Sequence, residues 1–207
     1  MDIQEDYNRW ASAYDLDQNI TRDLDRHKVR EYFEAVSFET VLELGCGTGK
    51  NTSFFATAAG KVISLDFSLG MLAVAKRSVP SKNVTFVHTD IRQAWPVPPG
   101  SIDLIACSLV LQHVEDLLPV FSEASRVLRS GGVMFVSELH PIKGYQGSMA
   151  RYVWKSEPKA IPAFDHQISS FTDAAKTAGL RLTDLREWWH TDDAGKPPRL
   201  VALTFTR

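Results

Sequence analysis

A glycine run and two aspartates carry the clearest chemical signal in this chain. Glu43-Leu44-Gly45-Cys46-Gly47-Thr48-Gly49 follows an apolar stretch and precedes a segment of helical period. Glycines placed there let the chain turn sharply out of a strand, and let backbone amides and carbonyls approach a ligand with no Cβ in the way. The helix that follows turns its positive end to the same spot. The spacing is G-x-G-x-G with Lys50 next, which departs from the dinucleotide fingerprint, so the loop suits a zwitterionic tail better than a pyrophosphate. A phosphate-cradling loop ending in Gly-Lys-Ser/Thr is excluded, because its spacing is missing and Asn51 follows Lys50. Asp66 comes 21 residues after Gly45 at the end of a second apolar run, where a carboxylate accepts both ribose hydroxyls and repels a 2′-phosphate. Asp90 and Ile91 close a third run; a carboxylate and a backbone amide there could read an adenine edge, with Phe67 and Met71 as apolar flanks for the ring. Either aspartate alone is as readily a helix cap. Together they meet the glycine loop at the carboxyl ends of neighbouring strands, where open α/β sheets bind ligands.

Apolar runs rich in β-branched residues must position these groups. Val41 to Leu44, Lys61 to Leu65, Val84 to His88, Ile102 to Cys107 and Val133 to Leu139 read as strands, and Asn51 to Ala59, Ser68 to Arg77 and Val114 to Arg129 as the crossover helices between them. Ser68 supplies a cap and Ser130-Gly131-Gly132 a stop. In the tail, Gln167 to Ala178 predicts a helix ending at Gly179, followed by strands Leu180 to Trp189 and Arg199 to Thr206. The loop between those strands is too short for a parallel return, so they run antiparallel. Ile3 to Tyr14 and Thr21 to Val36 predict two amphipathic helices, within an expected helical cap over residues 1–36. Residues 140–166 form a long irregular connection of the kind that serves as a lid. The expected architecture is a single doubly wound α/β domain over residues 1–207.

Bulk properties agree with one globular domain: 207 residues, 44% hydrophobic and 23% charged. A net charge of -2 with scattered Lys and Arg gives no general attraction to nucleic acid or anionic lipid. No apolar run approaches a membrane span, and the first eleven residues carry three acids and no export signal, so a cytoplasmic location is expected. Two cysteines, Cys46 and Cys107, are too few for a disulfide framework or a thiolate metal cage.

The order Glu43-Leu-Gly-Cys-Gly-Thr-Gly49, Asp66-Phe-Ser-Leu-Gly-Met-Leu72, Thr89-Asp-Ile91 and Leu128-Arg-Ser-Gly-Gly132 resembles class I S-adenosylmethionine-dependent methyltransferases, over a span from about Tyr7 to the end. The resemblance implies a Rossmann-like three-layer sandwich whose seven-stranded mixed sheet has the order 3-2-1-4-5-7-6, with strand 7 antiparallel. It implies that Glu43, Gly45, Cys46, Gly47 and Gly49 hold S-adenosylmethionine, the glycines at its methionine end, with Asp66 at the ribose and Asp90 and Ile91 at the adenine. It further implies that Ser108 and Leu109 flank the amino-acid moiety. Tyr7, Trp10 and Tyr14 resemble the aromatic entry segment of small-molecule members, with Tyr14 closing over the cofactor and Trp10 better suited to the core. The Asp/Asn-Pro-Pro-Tyr/Phe motif of base and glutamine N-methyltransferases is absent; Cys107 to His113 stands in its place. A small-molecule acceptor is therefore expected, with no metal and no nucleic-acid or membrane partner.

A sulfonium methyl needs little beyond a nucleophile in line and water kept out, with apolar and aromatic walls on the acceptor side. Tyr7, His140, Tyr145, Tyr152, Trp154 and Phe164 are the candidates for that side. A base is required only for a hydroxyl or carbon acid; His113, just past the fourth strand, is the first candidate, ahead of His140 and His166. Trp188 and Trp189 fit packing on a strand better than substrate binding. Two other readings share these residues: a dinucleotide-dependent oxidoreductase, and a domain that keeps the cofactor pocket without transferring anything.

Overall fold

The computed structural model describes Asp2–Arg207; Met1, the first residue of the expected cap, lies outside the described residues. Helix α1 (Ile3–Trp10) starts where the Asp2 carboxylate accepts the Gln4 amide at 3.0 Å. Helix α2 (Ile20–Phe33) starts where the Asn19 side chain accepts the Thr21 and Arg22 amides. The helix expected to reach Tyr14 stops at Trp10, because residues 11–17 fold into turns whose carbonyls, at Tyr14 and Asp17, are claimed by the Arg22 guanidinium.

The chain then alternates through β1 (Phe38–Leu44), α3 (Thr52–Ala58), β2 (Ala59–Asp66), α4 (Leu69–Ser78), β3 (Val84–His88) and β4 (Ile102–Ser108). A 3-10 turn at Leu111–His113 leads to α5 (Leu118–Val127) and β5 (Leu128–Leu139). The third crossover helix, α5, begins at Leu118 rather than Val114, since the 3-10 turn occupies the approach and Asp116 caps the Leu118 amide. Ser130-Gly131-Gly132 is not a helix stop: α5 has already ended at Val127, and these residues sit inside β5 where its register against β4 shifts.

Residues 140–166 hold more order than an irregular connection, with α6 (Pro141–Tyr145) and a hairpin of β6 (Arg151–Trp154) and β7 (Glu157–Ala160). Helix α7 (Ile168–Thr177), β8 (Arg181–Trp188) and β9 (Leu200–Thr206) complete the chain. The main sheet has the order β3-β2-β1-β4-β5-β9-β8, parallel from β3 to β5 and antiparallel on both sides of β9. With β6 and β7 set aside in their own hairpin, this is the seven-stranded order expected above.

Alternation along the central strands feeds two cores. Leu42, Leu44, Ile105 and Val136 pack with Phe121 of α5 and Phe171 of α7. Val41, Leu104 and Phe135 point to the other layer, against Val29 and Phe33 of α2 and Phe55 of α3. Burial of both faces is what near-continuous apolar strands require. It leaves the carboxyl ends of β1, β2, β3 and β4 on one rim.

Candidate functional site

Each strand delivers one group to that rim. At the end of β1, Gly45 adopts φ +65, and a Cβ there would meet Val110 Cγ2 at 2.3 Å, so only glycine fits the turn. Two residues on, a Cβ at Gly47 would meet nothing within 4 Å; it would reach into open space above the loop. Asp66, at the end of β2, is buried and accepts the Gly47 amide at 2.8 Å through Oδ2 and the Ser68 amide at 2.8 Å through Oδ1. Burial raises its pKa to about 6 against the pull of those amides. After β3, Asp90 is gripped by its neighbour: Arg92 Nε lies 2.9 and 3.0 Å from its two oxygens and Nη2 2.6 Å from one. Against the upward push of burial, those bonds hold Asp90 below its ordinary value. Past β4, Leu109 takes φ +58, held by its amide on the Ser137 carbonyl, and the Glu138 carboxylate accepts the Val110 and Leu111 amides at 2.8 and 2.7 Å.

A cleft of about 350 Å³ runs along this rim, within the usual range for small-ligand sites. Gly45, Gly47, Asp66, Asp90, Ile91, Phe67, Met71, Ser108, Leu109, Tyr14, Tyr7 and His113 all line it. Glu43 and Cys46 lie behind the loop instead, on a smaller cavity of about 70 Å³. Glu43 is buried, accepts the hydroxyls of Thr52 and Ser64, and is pushed up to about 7 by burial. Gly49 lines neither hollow; a Cβ there would press on Val79 at 3.0 Å, so its job is close packing against the end of α4. Cys46 and Cys107 are both buried thiols, pushed up by burial.

The far wall comes from α1, which docks on the turn after β2. Asn8 Oδ1 accepts from the Ser68 hydroxyl and the Gly70 amide, and Gln4 donates to the Phe67 carbonyl. This sets Tyr7 against Phe67 and brings its hydroxyl to 2.8 Å from His113 Nε2. His113 Nδ1 lies 2.8 Å from the Pro162 carbonyl. A carbonyl only accepts, so Nδ1 carries the hydrogen, Nε2 presents its lone pair and the Tyr7 hydroxyl donates to it. Burial lowers the His113 pKa and raises that of Tyr7, so both groups are neutral at pH 7.

The other acceptor-side candidates do not line this cleft. Tyr152 is buried, stacks on Trp10 with centroids 5.5 Å apart, and donates to Asp6 at 2.8 Å. Trp154 packs with that cluster and lies under Arg9. Both clamp the hairpin to α1, the helix whose Tyr7 walls the cleft. Tyr145 is 69% exposed and accepts from Gln167. His140 sits 3.1 Å from Glu187 of β8, and His166 Nε2 lies 2.7 Å from the Val114 carbonyl. Phe164 donates its amide to the Gln112 carbonyl and is 38% exposed. Trp188 packs on Phe135, whereas Trp189 is 48% exposed and does not pack the strand's second face. Among the described residues, no group of three or more His, Cys, Asp and Glu side chains is placed to hold a metal.

Sequence reasoning missed Glu138, which fixes the turn carrying Leu109 and His113 and is pushed up to about 8 by burial. It also missed Arg22 and Asp25 of α2, both buried beside the smaller cavity. Their signal was present: Arg22, Asp25, Val29 and Phe33 share one helical stripe, and two charged residues occupy apolar positions on it.

The opening above Gly47 decides whether an adenosyl sulfonium fits. That space continues past Asp66 to Asp90 and Ile91 along one cleft, so the two carboxylates lie in the order in which a ribose and then an adenine would meet them. Lys50 is held by Asp15 at 3.2 Å, so it does not offer itself to a pyrophosphate.

Comparisons with known proteins point the same way. A family model described as a methyltransferase domain matches residues 42–136. An uncharacterised methyltransferase of Emericella nidulans is 29% identical over 98% of this chain and 84% of its own length. A demethylmenaquinone methyltransferase of Lactococcus lactis is 34% identical over 67% of this chain but only 59% of its own length, so the chain spans well under two thirds of that relative. Among solved structures, the N-methyltransferase NodS of Bradyrhizobium japonicum, in complex with S-adenosylhomocysteine, superimposes with a TM-score of 0.75 over 100% of this chain and 99% of that one, at 15% identity.

Proposed function

Because this chain belongs to the class I S-adenosylmethionine-dependent methyltransferases, we propose that it moves a methyl group to a small-molecule acceptor admitted between Tyr7, His113 and the roof formed by α1 and the β6–β7 hairpin. The observation that carries this reading is that one cleft joins Gly47, Asp66 and Asp90 to the Tyr7–His113 pair. The cofactor supplies an activated methyl on a sulfonium when bound. The chain's part is to hold it and to manage a proton. Asp66 would accept the ribose hydroxyls on lone pairs not used by the Gly47 and Ser68 amides. Asp90, already turned to Arg92, would present its rim and the Ile91 amide to the adenine edge.

His113 is the proton acceptor in this reading, and it acts with Tyr7. Its Nε2 lone pair is engaged by the Tyr7 hydroxyl, so an acceptor proton reaches Nε2 either by displacing that hydroxyl or by passing through the Tyr7 oxygen. The Pro162 carbonyl fixes the tautomer and steadies the imidazolium that results. The aromatic roof keeps water away from both.

Titration of purified protein with S-adenosylmethionine and S-adenosylhomocysteine tests the cofactor half. Incubation with methyl-labelled cofactor and cell extract, fractionated into protein, nucleic acid and small molecules, tests the acceptor half. Label in the small-molecule fraction is expected, and label confined to macromolecules would overturn the acceptor class.

A further inference from the structure

We infer that His166 is a positioning residue for His113: with Ile161 and Pro162 it draws a strap of chain, residues 161–166, across the turn after β4 and so decides which nitrogen of His113 carries the hydrogen. That choice matters to the reaction only if His113 is the proton acceptor proposed above; how the strap makes it does not depend on that reading.

Among the described residues the His113 ring has two polar partners, the Tyr7 hydroxyl on Nε2 and the Pro162 carbonyl on Nδ1, each at 2.8 Å. A hydroxyl donates or accepts, so Tyr7 fits either tautomer. The carbonyl only accepts and fits one, so the hydrogen sits on Nδ1 because the Pro162 carbonyl is there to take it. A solvated neutral histidine carries its hydrogen mainly on Nε2, and the bond made by its other nitrogen is what overrides this. Without the strap, an N–H in place of a lone pair would face Tyr7 and the cleft.

Three bonds lay the strap on the turn. Besides the Pro162 carbonyl on His113, the Phe164 amide donates to the Gln112 carbonyl at 2.7 Å, and His166 Nε2 donates to the Val114 carbonyl at 2.7 Å. The two ends are anchored in different bodies. At one, Ile161 is buried with Trp10 and Tyr152, and its amide donates to the Ala150 carbonyl just before β6. At the other, the His166 ring meets Phe171 of α7 edge-on, with centres 5.7 Å apart, and Phe171 belongs to the core. Between the anchors, residues 162–165 are exposed, so the Pro162 carbonyl is aimed by the anchors rather than by packing around it. The proline ring fixes φ at Pro162 and keeps Ile161 extended, which leaves few ways to aim that carbonyl once both ends are tied. Glu138 holds the same turn from inside, through the Val110 and Leu111 amides. Closing the roof at Ile161 and presenting a lone pair on His113 are therefore one event, and an open, wet site has no ready base.

Nitrogen-15 NMR of the histidine side chains in the full chain tests this, because a bare ring nitrogen and one carrying a hydrogen resonate far apart; His113→Gln identifies the signals among those of the six histidines. In the ligand-free wild-type protein at mildly alkaline pH, His113 should show a hydrogen on Nδ1 and a bare Nε2. His166→Phe keeps a ring against Phe171 but loses the donor to Val114, and should move the His113 hydrogen largely to Nε2; His166→Gln restores a donor and should return it to Nδ1. Pro162→Gly, at an exposed position, should act like His166→Phe without touching a buried group, and so decides the matter should His166→Phe fail to fold. A wild-type His113 with its hydrogen on Nε2, or an unchanged pattern in either folded variant, would overturn the strap's role. For a hydroxyl acceptor found by labelling, His166→Phe should also lower kcat ~10-fold with S-adenosylhomocysteine affinity within about 2-fold of wild type. A moved hydrogen with unchanged kcat would take down His113 as proton acceptor and leave the strap standing.

Discussion

The two sides of the cleft are built by different physics. The rim and the layer directly behind it are made of strand ends, backbone amides and carboxylates that burial forces toward neutrality: Asp66 at about 6, Glu43 at about 7 and Glu138 at about 8. The roof, α1 together with the segments after β5 that pack around it, is held by side chains from distant parts of the chain: Tyr152 on Asp6 and Trp10, Trp154 under Arg9, and Lys143 and Arg199 on Asp193. The rim is held by a sheet that cannot shift one group without the next. The roof is held by contacts that can be undone one at a time, as access to a covered site requires.

The same substitution made on both sides gives the largest contrast. Gly45→Ala meets Val110 and must hold φ +65, so it should cost about 3 kcal/mol in urea denaturation and abolish S-adenosylhomocysteine binding. Gly147, beyond α6, has φ +78 with nothing within 4 Å of a built Cβ, so Gly147→Ala should cost only about 1 kcal/mol and leave cofactor affinity unchanged. Equal losses would show that the rim is no more rigidly determined than the roof.

Next in size is His113→Gln, which touches the joint between the two sides. If the acceptor found by labelling carries a hydroxyl, kcat should fall ~100-fold and lose its lower pH limb, with S-adenosylhomocysteine affinity within about 2-fold of wild type. An unchanged kcat would remove the imidazole from proton transfer and leave it as a strut between Tyr7 and Pro162.

The two regions should also answer pH with opposite signs. Glu43, Asp66 and Glu138 have folded pKa values raised by burial above the ordinary range near about 4, so the folded state holds protons that the unfolded chain releases. Their contribution is complete below about pH 4 and is lost as pH rises toward about 8. Asp193 is held down at about 2, chiefly by Arg199, so its contribution is present above about pH 4 and is lost as pH falls toward about 2. Thermal melts of the ligand-free protein should fall continuously between about pH 5 and about pH 8.5. Glu138→Gln should flatten that alkaline decline and Asp193→Asn the acid one; a Glu138→Gln profile identical to wild type would mean the rim acid is ionised throughout.

Legibility in the sequence follows the same division. The glycine loop, Asp66 and Asp90 were readable because local rules place them: a strand ends, a glycine turns and a side chain caps the next amide, all within a few residues. The sheet order came from a resemblance, and the antiparallel tail from loop length alone. The roof was not readable. Tyr145 and Tyr152 look alike in a connection rich in aromatic residues, yet one is 69% exposed and the other buried against a helix about 145 residues earlier, a pairing no local pattern encodes. Gly49 misled for the converse reason: its motif is local, but its use is packing against Val79 from another helix. Arg22 and Asp25 were hidden because a charged residue on an amphipathic helix is ordinarily on the wet face, and only its phase against Val29 and Phe33 says otherwise.

The smallest effect lies wholly within the roof. Tyr152→Phe keeps the stack on Trp10 and removes one hydrogen bond to Asp6, whose second oxygen is already buried without a partner. The loss should be about 1 kcal/mol of stability, because Asp6 sits near the helix start and can recover water once the clamp loosens. The functional cost should fall on the acceptor: its KM should rise ~2–5-fold while S-adenosylhomocysteine affinity stays constant, since no rim group is touched. A change in cofactor affinity instead would mean that the α1 clamp also presses Tyr7 and Tyr14 onto the rim, and that the two sides of the cleft are one mechanical unit.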